Sequence, residues 1–273
     1  MGGGCTPMPL TRYQAELGRL LSANRTEDSY LAGAAALLAA PNTTRYSQDL
    51  DYFHDTPERV ASAYEADRET LLAAGCSVEL ELSQPGYIRA VVERGGEVTK
   101  VEWAYDTIWR FLPVLRSEAF GYQLHPMDLA INKVLALAGR DEPRDLVDTL
   151  HCHREILRLG ALVWAAAGKD PGFSPLSLLE LLRRRGRVRP EELARLHVAA
   201  PLDPKVLKVE WLSALDDAES FVRSRPSEEA GCLYYSRRLE GFVQPARDTA
   251  DSVVPHYGRP GGVLPQVLEA DPQ

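Results

Sequence analysis

The strongest constraint on this chain is a change of hydrophobic period near residue 120. Before it, apolar side chains alternate: Ser77 to Leu82 carries Val78, Leu80 and Leu82, and Tyr87 to Glu93 and Thr99 to Tyr105 read the same way. Gly95-Gly96 turns the last two strands into a hairpin. Beyond it, helix starts follow one another: Pro126, Asp141 or Glu142 with Pro143, Ser174-Pro175, Pro190 and Asp203-Pro204. The first of these helices ends at Gly139 and the second near Gly160. Strands mixed with helices, then helices alone, predict an α+β domain over 1–120 and a helical domain over 121–250. The Gly- and Pro-rich segment 251–273 reads as a flexible tail.

Nearer the start, apolar spacing predicts a short helix over 12–23 and a strand over Ser29 to Ala32. Gly33 breaks that strand, and Ala34 to Ala40 reads as a small-residue helix stopped by Pro41-Asn42, with a polar loop from Asn42 to Arg45. Asp49 to Phe53 is the next strand, and Thr56-Pro57 caps a helix that reaches Ala74 before Gly75.

Composition removes several classes of function. The net charge is -8, so the overall field does not hold the chain to nucleic acid and any such contact must be local. Cysteines at 5, 76, 152 and 232 are too few and scattered for a disulfide framework, and read as reduced thiols in a cytoplasmic protein. The longest apolar runs, Leu31 to Ala40 and Leu159 to Gly168, are half of the roughly 20 residues needed to span a bilayer. Met1-Gly2-Gly3-Gly4-Cys5-Thr6 fits the loose myristoylation pattern without a basic cluster as second anchor, and reads as a glycine leader.

The sharpest chemical feature is Ser47-Gln48-Asp49-Leu50-Asp51-Tyr52-Phe53. On a strand, period 2 puts both carboxylates on one face, where they repel unless a cation lies between them. Hard oxygen ligands of this kind suit Mg²⁺ with substrate phosphates. The bland alternative is a strand end with two solvated acids. Upstream, Leu31 to Leu37 reads as strand, glycine and helix start, a geometry that offers backbone N–H groups to phosphate. Downstream come Glu102 on a later strand, then Asp128-Leu129 with Lys133, then Arg144-Asp145 with Asp148.

In this order the motifs resemble the AbiEii/AbiGii-type nucleotidyltransferase toxins, within the DNA-polymerase-β-like nucleotidyltransferase superfamily, over about residues 28–150. The resemblance implies an N-terminal nucleotidyltransferase fold with a mixed sheet and a C-terminal helical domain. It implies an enzyme that uses a pair of Mg²⁺ ions to move a nucleotide from NTP to an RNA acceptor, the 3′ end of tRNA, as the toxin partner of an antitoxin protein. It places Asp49, Asp51 and Glu102 at the metals, Gly33, Ser47, Lys133 and Arg144 at the nucleotide, and Asp145 beside Lys133 or the nucleotide. Glu102 stands where the family has Asp, with Asp106 as the alternative third acid, and Ala34 and Ala35 replace the family's Gly or Ser and Thr. These replacements motivate other readings: transfer to a small-molecule or protein hydroxyl, or a catalytically weak NTP-binding or partner-binding relative.

Other features read plainly. His151-Cys152-His153 on a helix diverge by about 100 degrees per residue and do not converge on a metal. The dense basic run Arg183, Arg184, Arg185, Arg187 and Arg189 is either a solvated helix end or an RNA-phosphate contact. Leu178, Leu179, Leu181 and Leu182 form a core face, and the four tryptophans are core or interface residues.

Overall fold

The computed structural model describes residues 10–37, 45–198, 200–246 and 253–265. The glycine leader with Cys5, the end of the small-residue helix with its Pro41-Asn42 stop, and most of the following loop lie outside the described residues. Contacts divide the chain into two compact units. One holds the described residues up to Ile108, Pro113–Leu129 and Arg195–Pro201, and the other holds Trp109–Leu112, Ala130–Ala194 and the described chain from Leu202 onward.

In the first unit α1 (Arg12–Leu21) starts on a capping box, Thr11 accepting from the Gln14 N–H while Gln14 accepts from the Thr11 N–H. The chain continues through β1 (Ser29–Ala32), α2 (Gly33–Leu37), β2 (Asp49–His54), α3 (Pro57–Ala73), β3 (Ser77–Gln84), β4 (Tyr87–Arg94) and β5 (Glu97–Tyr105). After β6 (Trp109–Arg110), which belongs to the second unit, β7 (Leu115–Ser117) and β8 (Gly121–Gln123) complete a seven-stranded sheet. Its order is β3-β4-β5-β2-β1-β8-β7. β2 lies parallel to β5 and β1 parallel to β8, while the other neighbours are antiparallel, so the sheet is mixed as expected.

Alternation along β2 sets the two sides of this sheet. Leu50, Tyr52 and His54 are buried, and Asp49, Asp51 and Phe53 face the opposite way, half-buried. α3 packs over β2 to β5 on the buried side and carries α1 against it. There Asp67 is fully buried and takes a bidentate bond from Arg25 at 2.5 and 2.6 Å, one from the Trp103 indole at 2.7 Å and one from Asn24 at 2.9 Å. The Arg25 guanidinium also lies 4.3 Å from the Tyr52 ring centroid. A charge pair this deep holds only because its bonds are so fully made. The segment leading into β2 is tied to a late stretch of chain: Arg45 bridges Val198, and the Tyr46 N–H donates to the His197 carbonyl at 2.9 Å.

In the second unit α4 (Pro126–Gly139), whose first turn belongs to the first unit, is followed by α5 (Pro143–Glu155), α6 (Leu159–Lys169), α7 (Pro175–Arg185), α8 (Pro190–Leu193) and α9 (Pro204–Ser224). The proline and capping signals locate the starts of α4, α5, α7, α8 and α9. The helix read as running to about Gly160 instead stops at Glu155, and α6 is a separate helix, turned where the Leu159 N–H donates to His153 Nδ1 at 2.9 Å. Leu178, Leu179 and Leu182 are buried as a core face, with Leu181 half-buried.

The region read as purely helical also carries strands. β9 (Leu233–Ser236) is flanked by β10 (Gly241–Val243) and β11 (Val253–His256), and β12 (Arg259–Pro260) pairs with β6. β11 and β12 fall in the segment 251–273 read as a tail; there the backbone is satisfied by ladder partners, and His256 bonds the Phe111 carbonyl at 2.9 Å. No described helix is long and apolar enough to cross a membrane.

Candidate active site

The site is built by strand register. Asp51 stands opposite Ala32 on the antiparallel β1 side and opposite Glu102 on the parallel β5 side, and Asp49 stands opposite Lys100. Parallel register puts Glu102 on the same open face as the Asp pair. The result is a cluster in which one carboxylate oxygen from each of Asp49, Asp51 and Glu102 lies within 4.8 Å of the others, all three half-buried. Among the described residues no other group of His, Cys, Asp or Glu meets this condition, and His151, Cys152 and His153 do not form one. Asp106 lies at the far end of β5, where its N–H donates to the His54 carbonyl at 3.0 Å and its carboxylate accepts from Thr107. Of the two candidates for the third acid, Glu102 is the one that joins the pair.

Gly33 closes the opposite side. It has φ +60, and a Cβ built on it would lie 1.8 Å from Asp51 Oδ2. Only glycine lets backbone approach this carboxylate so closely in that conformation. Ser47, buried before β2, donates from Oγ to the Asp49 carbonyl at 2.8 Å. Gln14 braces the same turn by donating to the Ser47 carbonyl at 3.4 Å and to Thr99 at 3.2 Å.

Glu102 has two neighbours that the residue patterns alone did not single out. Arg89 on β4 donates from Nε to Glu102 Oε1 at 2.8 Å. Tyr87, two residues before Arg89 on the same strand, lies beside this carboxylate, and burial first, then the neighbouring Glu102, pushes its phenol up to about 12. The signal was present in the hairpin: a two-residue turn at Gly95-Gly96 pairs Arg94 with Glu97, and counting back in step reaches Arg89 opposite Glu102. His125, after β8, is a further half-buried group; its Nδ1 accepts from the Met127 N–H at 3.1 Å and burial lowers its pKa to about 4.

The remaining candidates lie on α4 and α5. Lys133 Nζ is 2.8 Å from Asp148 Oδ2, with the lysine nearly and the aspartate fully buried. Asp145, fully buried, is held by Arg140 at 2.6 and 3.0 Å. The lysine's carboxylate partner is therefore Asp148, one helical turn beyond Asp145, for which the resemblance offered either Lys133 or the nucleotide. Thr149 Oγ1 ties the two helices, bonding the carbonyls of Asp145 at 2.7 Å and Lys133 at 3.3 Å. Arg144, next to Asp145, is half-buried at the start of α5.

Four of the five arginines of the basic run lie in ion pairs. Arg183 pairs with Asp216 and Glu219, Arg184 with Glu180, Arg185 with Asp141 and Arg189 with Glu192.

No protein-family profile matches the chain, and no curated protein matches it. Among solved structures it is similar to JHP933 from Helicobacter pylori, at 14% identity over 77% of this chain and 91% of that one, with a TM-score of 0.48. It is also similar to MenT4, a nucleotidyltransferase toxin from Mycobacterium tuberculosis, at 17% identity over 79% of this chain and 83% of that one, with a TM-score of 0.49.

Proposed function

We propose that this chain is a Mg²⁺-dependent nucleotidyltransferase that moves a nucleotide from an NTP to the 3′ end of tRNA, acting in the cytoplasm as the toxin of a toxin–antitoxin pair. The observation that carries the chemistry is the cluster of Asp49, Asp51 and Glu102 within 4.8 Å, closed by the Gly33 backbone against Asp51. Three carboxylates so close are mutually repulsive without a cation, and their oxygens suit Mg²⁺. The residues therefore fit the metal: Asp49 and Asp51 would hold it, with Glu102 as third ligand or proton acceptor. When bound, Mg²⁺ supplies positive charge against the attacking and leaving oxygens of an in-line displacement.

The rest of the chemistry belongs to the chain. The open face of the sheet at Asp49 and Asp51 receives the triphosphate, and Gly33 lets phosphate oxygens approach backbone rather than a side chain. An acceptor hydroxyl oxygen bonds to the α-phosphorus as the bond to the β-phosphate breaks. Pyrophosphate leaves, and the hydroxyl proton passes to Glu102. Ser47 holds the turn that aims Asp49. The resemblance assigns Lys133 and Arg144 to the nucleotide and Asp145 to orienting Lys133 or contacting the nucleotide, roles tested by the KM for NTP in variants that retain the fold.

The deciding experiment incubates the protein with each radiolabelled NTP, Mg²⁺ and total cellular RNA, and resolves the products by size. Label in the tRNA band, lost in Asp49→Ala and Asp51→Ala, is the expected result. Label confined to protein or small-molecule fractions overturns the RNA acceptor, and no label with any NTP overturns transfer itself.

A further inference from the structure

The four central strands around the acid cluster divide it into two sides. The Gly33 backbone, at the start of α2 just after β1, borders Asp51 on one side, while Glu102 borders it from β5, with β4 beyond. On β4, Tyr87 and Arg89 stand two residues apart on the open face, and the guanidinium lies 5.5 Å from the phenol ring centroid. Arg89 bonds Glu102 yet keeps 35% of its side chain exposed, and Tyr87 lies beside the same carboxylate. A positive charge placed there satisfies Glu102 in the free protein and competes with any cation for the same carboxylate. Beside the pair the open face is sparsely covered: Leu82, opposite Arg89 on β3, is 41% exposed. An exposed arginine beside an aromatic ring is the combination that holds a single nucleotide, its phosphate on the guanidinium and its base against the ring.

We propose that Tyr87 and Arg89 form the acceptor subsite: the terminal nucleotide of a single-stranded RNA end takes the Arg89 guanidinium onto its phosphate and stacks on Tyr87, and so releases Glu102 to the metal and the attacking hydroxyl. The inference rests on the nucleotidyltransferase reading and goes beyond it, because it ties completion of the acid cluster to arrival of the acceptor. With phosphates on the Gly33 side and the acceptor on the Arg89 side, the two substrates meet across Asp49 and Asp51.

The test uses two binding measurements on the whole chain without NTP. Mn²⁺ titrations followed by electron paramagnetic resonance report the acid cluster, and anisotropy of a short 5′-labelled single-stranded RNA, in chelator, reports the subsite. Arg89→Gln is expected to bind Mn²⁺ about tenfold more tightly than wild type, because the competing charge is gone. The same variant is expected to bind RNA about fivefold more weakly, with its salt slope shallower by about 0.7, the loss of one phosphate contact on a single strand. Tyr87→Ala should weaken RNA binding while Tyr87→Phe, which keeps the ring, should not. Unchanged Mn²⁺ affinity in Arg89→Gln, where Asp49→Ala has lost it, overturns the competition for Glu102. Unchanged RNA affinity in both Arg89→Gln and Tyr87→Ala overturns the subsite. Wild-type Mn²⁺ affinity in Asp49→Ala sinks the metal-centre reading itself, and the RNA arm still decides the subsite.

Discussion

Gly33 and His54 show how much single positions carry here. Replacing Gly33 by Ala puts a methyl group at the place now held by Asp51 Oδ2, in a backbone conformation, φ +60, that costs an L-residue about 1 kcal/mol. The carboxylate must turn away, so Gly33→Ala should lower Mn²⁺ affinity at least about tenfold while the melting transition stays cooperative; equal affinity would show that the backbone approach is incidental. His54, on the buried side of the strand that carries the Asp pair, is fully buried with both ring nitrogens lacking a hydrogen-bond partner among the described residues. Burial, reinforced by Arg25 and Arg59, lowers its pKa to about 3. Below the ordinary value of 6.5 the unfolded chain gains a proton that the folded chain refuses until about pH 3. This contribution to stability is full above 6.5 and lost as pH falls toward 3, by about 1.4 kcal/mol per pH unit. His54→Leu should therefore match or exceed wild-type stability at pH 7 and show a flatter decline between pH 6.5 and 5 in urea melts.

Between elements, the buried pair of Lys133 on α4 and Asp148 on α5 does structural work whatever else the lysine does. Lys133→Met strands a buried carboxylate and should cost about 3–5 kcal/mol, whereas Lys133→Met with Asp148→Leu should cost far less than the two single changes together. Additive losses in denaturant melts would mean that the pair is not coupled. This geometry also marks what the sequence could and could not disclose. Helix starts at Thr56-Pro57, Ser174-Pro175 and Asp203-Pro204 were legible because a cap is decided by neighbouring residues. The acid cluster was legible because period 2 places Asp49 with Asp51. α6 was not, since a helix buried from Leu159 to Ala166 has no polar face and therefore no period to read. β9, buried on both faces, lacks alternation for the same reason. Choosing Asp148 over Asp145 as the lysine's partner needed the packing of α4 on α5, which no local pattern contains.

At the scale of the whole molecule, a net charge of -8 leaves any RNA attraction to local groups, the basic run from Arg183 to Arg189 among the candidates. Four of its five arginines already pair with acids, Arg184 within its own helix. Reversing Arg183, Arg184 and Arg185 to glutamate should leave the salt slope of RNA binding within about 0.3 of wild type, while costing up to about 1 kcal/mol of stability per pair lost. A slope that falls by about 0.7 or more per arginine would return the run to the RNA surface. The tie between the segment before β2 and residues 197–198 reaches further than its two contacts. A ribosome makes the acid-bearing strand early but the residues that pin its leading segment late, so a growing chain holds the acid cluster before that brace. Chains that end before residue 197 carry Asp49, Asp51 and Glu102 but lack this pairing, so the leading segment of β2 gains it only late in synthesis.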